Sequence, residues 1–321
     1  MSALARAARV ALAGAAVGGS LLAGRRLRRA YREDMREAYA AVEDAGSAVL
    51  ETAAGDVEFV TRGEGIPVLV AHGIVGGFDQ ALQTGQSLFD AETACIGVSR
   101  FGYLGSELPV DSTPEAQARA YRDVLDHLGV DETVVVGTSA GGAPAIRFAL
   151  DYPDRTRALV LIGSTAPRER EITGATGPPH AILRDSVFWL LVTYAPWAFL
   201  KLFGVDGDDY AAAAPEEQRR VEALLETLLP VEPRKQGIYN DERVTNTAMV
   251  ERDDEYDLES LRVPTLILHA EDDPLASFAD VERMAVRIPD ATFRPYRTGG
   301  HLVFGHGDEV RRTVTDFVES A

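Results

Sequence analysis

The sequence predicts an α/β protein in which helices cover both faces of a mostly parallel sheet. Short apolar runs recur from residue 48 onward and alternate with segments that favour helix, as expected for strands buried on both faces. Several of these runs lead into polar segments, and sites in open α/β sheets form at the carboxyl ends of strands. A chain of 321 residues with 46% hydrophobic content can bury one substantial core.

The strands are predicted in chain order from these apolar runs. The first two form a hairpin that turns at Gly55. A helix between the fourth and fifth strands begins at Pro114, because proline is favoured in a first helical turn, and Gly129 ends it. The predicted strands span residues 48–53, 56–61, 67–71, 94–99, 133–136, 158–162, 264–268 and 292–296.

The alternation of strands and helices breaks between residues 167 and 256. This stretch contains Pro178-Pro179, both tryptophans of the chain and an acidic segment that favours helix near residues 215–229. We therefore expect a helical insertion after the sixth strand. Residues 48–166 and 257–321 are then the two parts of one core.

Residues 1–47 differ from the rest of the chain. Residues 10–24 are uncharged and precede a dense arginine cluster, which fits a cleavable signal peptide poorly. Two interpretations stay open: a membrane anchor whose C-terminal side is cytoplasmic, and a mobile terminus. In the first, residues 1–32 attach an otherwise cytoplasmic protein to the membrane. Residues 26–45 are expected to form a charged, solvent-exposed helix.

The chain is strongly acidic, with 50 acidic against 32 basic residues and a formal net charge of −18. Such a surface repels phosphates and argues against any role in binding nucleic acid. The acidity fits either ordinary solubility or adaptation to a high-salt cytoplasm. Cys95 is the only cysteine, so we expect neither an intrachain disulfide nor a cysteine-based metal site.

A candidate nucleophile stands between an apolar run and a segment that favours helix, in the sequence Gly137-Thr138-Ser139-Ala140-Gly141. This is the context of a nucleophile elbow, a sharp strand-to-helix turn that holds serine in a strained conformation. Glycine at the two outer positions removes side chains that would clash with the crossing strand and helix. Ser139 is therefore the predicted nucleophile.

Two further candidate groups follow later strands, in the chain order serine, acid, histidine. Asp272 and Asp273 come shortly after the predicted strand at 264–268, and His301 follows the strand at 292–296. All of them are expected at the edge of the sheet where Ser139 lies. His301 is the predicted base, and the residues alone leave both aspartates open as the acid.

At this point the chain resembles the α/β-hydrolase superfamily, specifically its esterase, lipase and peroxidase-like members with a helical cap. The resemblance covers residues 48–321 and implies the α/β-hydrolase fold, with residues 167–256 as the cap. It rests on five motifs in the family order: His72-Gly73, residues 99–106, residues 137–141, Glu271-Asp272-Asp273-Pro274 and Gly299-Gly300-His301.

The resemblance also implies a role for each candidate residue. Ser139, His301 and Asp273 form a catalytic triad, with Asp273 preferred to Asp272 because the family carboxylate directly precedes a Pro-Leu pair. The oxyanion hole is made by two backbone N–H groups. They belong to Ala140 and to Ile74, with Val75 as the alternative to Ile74. No metal or organic cofactor is implied.

Aromatic side chains are concentrated in the predicted cap. They fit either packing of the cap onto the core or the lining of an apolar pocket, and different faces can serve both. The candidate substrate-binding residues are Phe188, Trp189, Tyr194 and Trp197.

The resemblance implies a carboxylesterase-like serine hydrolase that cleaves a small, apolar ester or related carbonyl compound through an acyl-enzyme. Epoxide hydrolases and haloalkane dehalogenases of this superfamily use an aspartate nucleophile, so Ser139 disfavours them. Perhydrolase, C–C bond hydrolase and acyltransferase activities on the same fold stay open. A non-catalytic ligand-binding protein is the alternative of a different class, but a binder does not need a complete triad.

Overall fold

The computed structural model describes residues 3–89, 92–167, 177–251 and 256–321. Side chains are described from Ala23 onward, apart from those of residues 250 and 251. Within these ranges eight strands form one sheet, at the positions that the apolar runs predict. They are β1 (Ala48–Thr52), β2 (Gly55–Arg62), β3 (Ile66–Ala71), β4 (Thr93–Val98), β5 (Thr133–Thr138), β6 (Thr156–Ile162), β7 (Thr265–Ala270) and β8 (Ala291–Tyr296).

The strand order in the sheet is β1-β2-β4-β3-β5-β6-β7-β8. β1 and β2 form the predicted antiparallel hairpin, and β2 also pairs with β4 in antiparallel fashion. From β4 to β8 every neighbouring pair is parallel. The carboxyl ends of β3, β5, β7 and β8 therefore lie at one edge, where the candidate site residues follow them.

Helices cover both faces of this sheet, which confirms the predicted fold class. The side chain of Val135 belongs to one core cluster, on the face of the sheet that is covered by three helices: α3 (Pro114–Leu128), α4 (Gly142–Asp151) and α11 (Phe278–Arg287). Val134 and Val136 face the opposite cluster, with α2 (Phe78–Leu88) and α12 (Gly307–Ser320). Because side chains alternate along a strand, this short apolar run serves both layers.

Between β6 and β7 the described residues are mainly helical. A third apolar cluster joins this segment to the core, with Phe188 and Leu225 packed near Val75, Tyr103 and Phe304 of the core loops. The helices are α5 (Asp185–Tyr194), α6 (Pro196–Leu202), α7 (Gly207–Ala212), α8 (Pro215–Glu226), α9 (Lys235–Asn240) and α10 (Asn246–Glu251).

The first helix, α1 (Ala3–Glu43), covers most of residues 26–45, where a charged, solvent-exposed helix is expected, and it departs from that expectation on one face. One face of it packs on α5. Met35 is buried, the Tyr31 ring lies 5.3 Å from the Trp189 ring, and the Tyr39 hydroxyl donates to Asp185 at 2.8 Å. Tyr31, Met35 and Tyr39 are four residues apart and so share one side of the helix, and most of the other described side chains between Ala23 and Glu43 are exposed.

The predicted anchor at residues 10–24 lies almost wholly outside the described side chains. Over the part of the chain that is described, no helix has both the length and the apolar character that crossing a membrane requires.

Candidate active site

Ser139 occupies the tight turn that the glycine pattern predicts. It begins a short 3₁₀ turn between β5 and α4, and its φ of 51° lies in the left-handed region that non-glycine residues rarely adopt. A Cβ at Gly137 would lie 2.8 Å from Cβ of Ala145 on α4, and one at Gly141 only 2.2 Å from the carbonyl oxygen of Ala71 on β3. Both outer glycines are therefore required by the crossing helix and strand.

A continuous hydrogen-bond chain links Ser139 to His301 and Asp273. His301 Nε2 lies 2.9 Å from Ser139 Oγ, and His301 Nδ1 lies 2.8 Å from Asp273 Oδ2. The acceptor Oδ2 implies that Nδ1 carries the proton, which leaves Nε2 as the acceptor for the serine hydroxyl. The three predicted residues thus meet at the carboxyl edge of the sheet, after β5, β8 and β7.

The Asp273 carboxylate is held from both sides. Its Oδ1 accepts the backbone N–H groups of Leu275 and Ala276 at 2.8 and 3.0 Å. Burial by itself would raise the pKa of Asp273, but the hydrogen bond and charge of His301, with these two N–H groups, lower that pKa below its ordinary value. Asp273 is therefore ionised at neutral pH.

Asp272 has a different contact. Its carboxylate accepts the N–H of Gly300 at 2.8 Å and that of Gly299 at 3.3 Å, and so ties the loop before His301 to the loop after β7. The structure thus places Asp273, and not Asp272, against the imidazole.

The segment between β6 and β7 also positions His301. The backbone N–H of His301 donates to the carbonyl of Phe203 at 2.8 Å, and the two rings lie 5.9 Å apart. Phe203 directly follows α6, so the helical insertion contacts the histidine itself. Neither contact was predicted, because both depend on how the insertion folds back on the core.

The loop of residues 72–77 follows β3 and carries the first predicted oxyanion donor. Ile74 lines the cavity beside Ser139, and Val75 next to it has a φ of 65°. Ala140, the second predicted donor, directly follows Ser139 in the 3₁₀ turn and is buried. The assignment of their N–H groups to an oxyanion hole stays a prediction.

Two buried arginines hold this loop. Arg100, which follows β4, donates to the carbonyl of Gly73 at 3.2 Å, and Arg234, from the insertion, donates to that of Gly76 at 2.7 Å. Each guanidinium is also paired with a carboxylate. Sequence reasoning missed both roles. Arg100 belongs to the motif at residues 99–106, which was a usable signal, whereas no local pattern marks Arg234.

A cavity of about 130 Å³ lies between Ser139 and the insertion. Gln80, Gln83 and Thr84 of α2 contribute polar side chains to its wall, and most of the remaining wall is apolar. The apolar wall comes largely from α6, α8 and the residues just after them: Phe199, Leu200, Phe203, Leu224, Leu225 and Leu228.

The four aromatic residues predicted to bind substrate do not line this cavity. Phe188 is wholly buried within the insertion, and Trp189 faces α1, where its indole N–H donates to Asp34 at 2.8 Å. Tyr194 and Trp197 are more than half exposed, at 57% and 62%. The prediction that these residues bind substrate is therefore corrected. Residues 187–200 are apolar on all sides of the predicted helix, so their sequence does not show which side faces Ser139.

A family model described as "alpha/beta hydrolase fold" matches residues 66–308, more than half of the chain. The chain is 28% identical to a 2-hydroxymuconate semialdehyde hydrolase from Pseudomonas putida over 272 residues, which cover 81% of this chain and 89% of the relative.

The chain is also similar to solved structures of α/β-hydrolase fold proteins. An alpha/beta hydrolase fold protein from Nakamurella multipartita matches with a TM-score of 0.74 and 26% identity, covering 86% of this chain and 99% of that one. A thermophilic esterase from Thermogutta terrifontis matches with a TM-score of 0.62 and 25% identity, again over 86% and 99%. With its sheet order, its elbow at Ser139 and the family match over residues 66–308, the chain belongs to the α/β-hydrolase fold family.

Proposed function

We propose that this hydrolase is a carboxylesterase-like serine hydrolase with Ser139, His301 and Asp273 as its catalytic triad. The observation that supports the proposal most directly is the unbroken hydrogen-bond chain from Ser139 Oγ through both nitrogens of His301 to Asp273. A non-catalytic binding protein has no use for a serine held in a strained turn against a histidine.

In the proposed mechanism Ser139 Oγ attacks the substrate carbonyl as His301 Nε2 removes its proton. Ionised Asp273 keeps the imidazole in the correct tautomer and stabilises the imidazolium that forms. The N–H groups of Ile74 and Ala140 bind the negative oxygen of the tetrahedral intermediate. His301 then protonates the leaving alcohol, and water, activated by the same nitrogen, hydrolyses the acyl-enzyme.

The cavity favours a small, uncharged acyl group. Arg220 is the only side chain of permanent charge among the described lining residues. Its guanidinium is paired with Glu217 at 2.6 Å and also donates to the carbonyl of Leu302 at 3.2 Å. Since its charge is balanced locally, Arg220 offers little attraction to an anionic substrate.

A second candidate is hydrolysis of a semialdehyde of the kind named for the Pseudomonas putida relative, as a C–C bond hydrolase. The 28% identity over most of both chains favours it, but the balanced charge of Arg220 does not favour a carboxylate-bearing substrate. Parallel assays of p-nitrophenyl butyrate and 2-hydroxymuconate semialdehyde distinguish the two candidates.

The decisive experiment is labelling with a fluorophosphonate probe, paired with turnover of p-nitrophenyl butyrate. Ser139→Ala should abolish both while leaving the melting temperature unchanged, because the change removes a single side-chain oxygen. Ser164→Ala is the matched control, since Ser164 lies near the elbow but donates only to the carbonyl of Thr165. Retained esterase activity in Ser139→Ala would rule out the mechanism.

We further propose that residues 1–32 attach the protein to the cytoplasmic face of a membrane. The support is the sequence of this region, an uncharged stretch at residues 10–24 followed by arginines that are exposed on α1. Each arginine near an anionic leaflet contributes about 1 kcal/mol. The arginines are Arg25, Arg26, Arg28, Arg29 and Arg32.

A further inference from the structure

A second and larger cavity lies behind the active-site cavity, between α1 and the helical insertion. Its volume is about 790 Å³. Ala38 and Ala41 of α1 form one wall, and Trp189, Val192 and Trp197 contribute to the opposite one. We call it the α1–cap cavity. α1 lies outside the residues 66–308 that match the family model, so this space is built in part from a segment beyond that match.

Two leucines line both cavities. Leu200 of α6 and Leu225 of α8 belong to the wall of the active-site cavity and also to that of the α1–cap cavity. They are 3% and 7% exposed, so each side chain is packed between the two spaces. Each of two neighbouring leucines lines only one of the cavities: Leu228 lines the active-site cavity, and Leu229 lines the α1–cap cavity.

Leu200 and Leu225 form a wall between two cavities of different size, and this wall affects which acyl groups fit beside Ser139. A cavity of roughly 150 Å³ holds a molecule of the size of benzene, so the 130 Å³ beside Ser139 accepts only a short acyl group. A longer alkyl chain attached to Ser139 that extends toward the helical insertion meets Leu200 and Leu225. Beyond them, the α1–cap cavity provides apolar side chains along which the chain can continue.

We propose that Leu200 and Leu225 determine acyl-chain length in this enzyme by separating the active-site cavity from the α1–cap cavity. The inference rests on the proposed serine hydrolase function. With both leucines in place, the enzyme prefers short acyl groups. With the wall opened, the chain enters the α1–cap cavity and reaches α1. The carboxylates of Glu37 and Glu226 line that cavity and disfavour an acyl chain that itself ends in a carboxylate.

The test measures kcat/KM for p-nitrophenyl esters of two, four, six and ten carbons in the acyl group. Leu225→Ala removes three side-chain carbons and should raise the ratio of the ten-carbon to the two-carbon ester by about 10- to 100-fold, a range that even one methylene in an apolar pocket can produce. Leu229→Ala is the matched control, because it enlarges only the far cavity, and should leave the ratio unchanged. Leu228→Ala enlarges only the near cavity, and its gain should end at the four-carbon ester.

A second variant shows where the longer chain lies. Ala38→Trp adds a large ring to the α1 wall, and in the Leu225→Ala background it should cancel most of the gain for the ten-carbon ester. Ala38→Trp alone should leave turnover of the two-carbon ester as in the wild type. Equal ratios for Leu225→Ala and Leu228→Ala, or a gain that Ala38→Trp does not reduce, would overturn the inference.

Two outcomes separate this inference from the proposed function. If short esters are hydrolysed in a Ser139-dependent way and the chain-length ratio does not move, only the inference fails. If Ser139→Ala still turns over the two-carbon ester, the proposed function fails. Leu225→Val removes less volume and serves as the test variant if Leu225→Ala does not fold, with the same direction of change expected.

Discussion

Asp273 Oδ2 lies 2.8 Å from Nδ1 of His301, on the side of the imidazole opposite to Ser139. The neighbouring Asp272 faces the loop before the histidine and accepts the Gly300 N–H. Two adjacent carboxylates thus differ in their contacts: Asp273 touches the imidazole, and Asp272 holds the backbone that carries it.

Asp273→Asn should lower kcat by roughly 10³- to 10⁴-fold, because an amide stabilises the wrong imidazole tautomer. Asp272→Asn should cost far less, since it removes charge from a backbone contact and leaves the imidazole with its partner. Steady-state kinetics with p-nitrophenyl butyrate measure both. If Asp272→Asn had the larger effect, the assignment of the acid would be wrong by one residue.

How far the sequence predicts the site depends on how local each signal is. The elbow is local, because the apolar run, the flanking glycines and the following helix lie within about 20 residues and constrain one another. The choice between Asp272 and Asp273 has no such local signal, since a loop rotated by one residue exchanges their positions without changing the spacing. Only the loop geometry separates them, with Leu275 and Ala276 donating to Asp273.

The substrate pocket was harder to predict because the apolar run near α5 has no polar side. In such a run the helical period does not show which face is inward. The structure turns Trp189 to α1 and exposes Trp197, while Phe199 and Phe203 line the cavity. The contact of α1 was missed for another reason: its partner, α5, lies about 150 residues along the chain. The four-residue spacing of Tyr31 and Met35 was nevertheless a usable signal.

Trp189→Ala should lower the free energy of unfolding by about 3–5 kcal/mol, the usual cost of removing a large buried aromatic side chain. The indole is 2% exposed and bonded to Asp34 on α1, so its loss opens a void and leaves Asp34 without that donor. The ratio of kcat/KM between esters should stay constant.

Trp197→Ala, which truncates an exposed ring, is the control and should change stability by less than about 1 kcal/mol. Urea unfolding and the ester series measure both effects, and a selectivity change in Trp189→Ala without lost stability would contradict the assignment.

His72 links stability to pH. It is fully buried, and burial together with the nearby Arg100 charge lowers its pKa well below the ordinary value. The unfolded chain binds a proton at this histidine near pH 6.5 and the folded chain does not. This histidine therefore stabilises the fold fully above about pH 6.5. As the pH drops below that value, the free energy of unfolding falls by up to about 1.4 kcal/mol per pH unit. Burial lowers the pKa of His269 as well, so a second histidine adds to the slope.

The measurement is urea unfolding at several pH values between about 5 and 7. His72→Asn should reduce the slope of unfolding free energy against pH, because one of the two contributing histidines is gone. His127→Asn, at an exposed position on α3, is the control for the effect of the substitution itself. An unchanged slope in His72→Asn would show that His72 does not titrate between the folded and unfolded states in this range.

The contacts of α1 distinguish two parts of the N-terminal region. Tyr31, Met35 and Tyr39 pack against the helical insertion, whereas the predicted anchor at residues 10–24 precedes them. Deletion of residues 1–30 should thus keep kcat/KM and the melting temperature close to wild type and move the protein from the membrane to the soluble fraction. Deletion of residues 1–46 removes the packed face as well and should lower the melting temperature. Fractionation of cell lysates at moderate salt, with thermal unfolding of each purified variant, tests both parts. Full-length protein found in the soluble fraction would refute membrane attachment, and equal melting temperatures for the two deletions would contradict a stabilising role for α1.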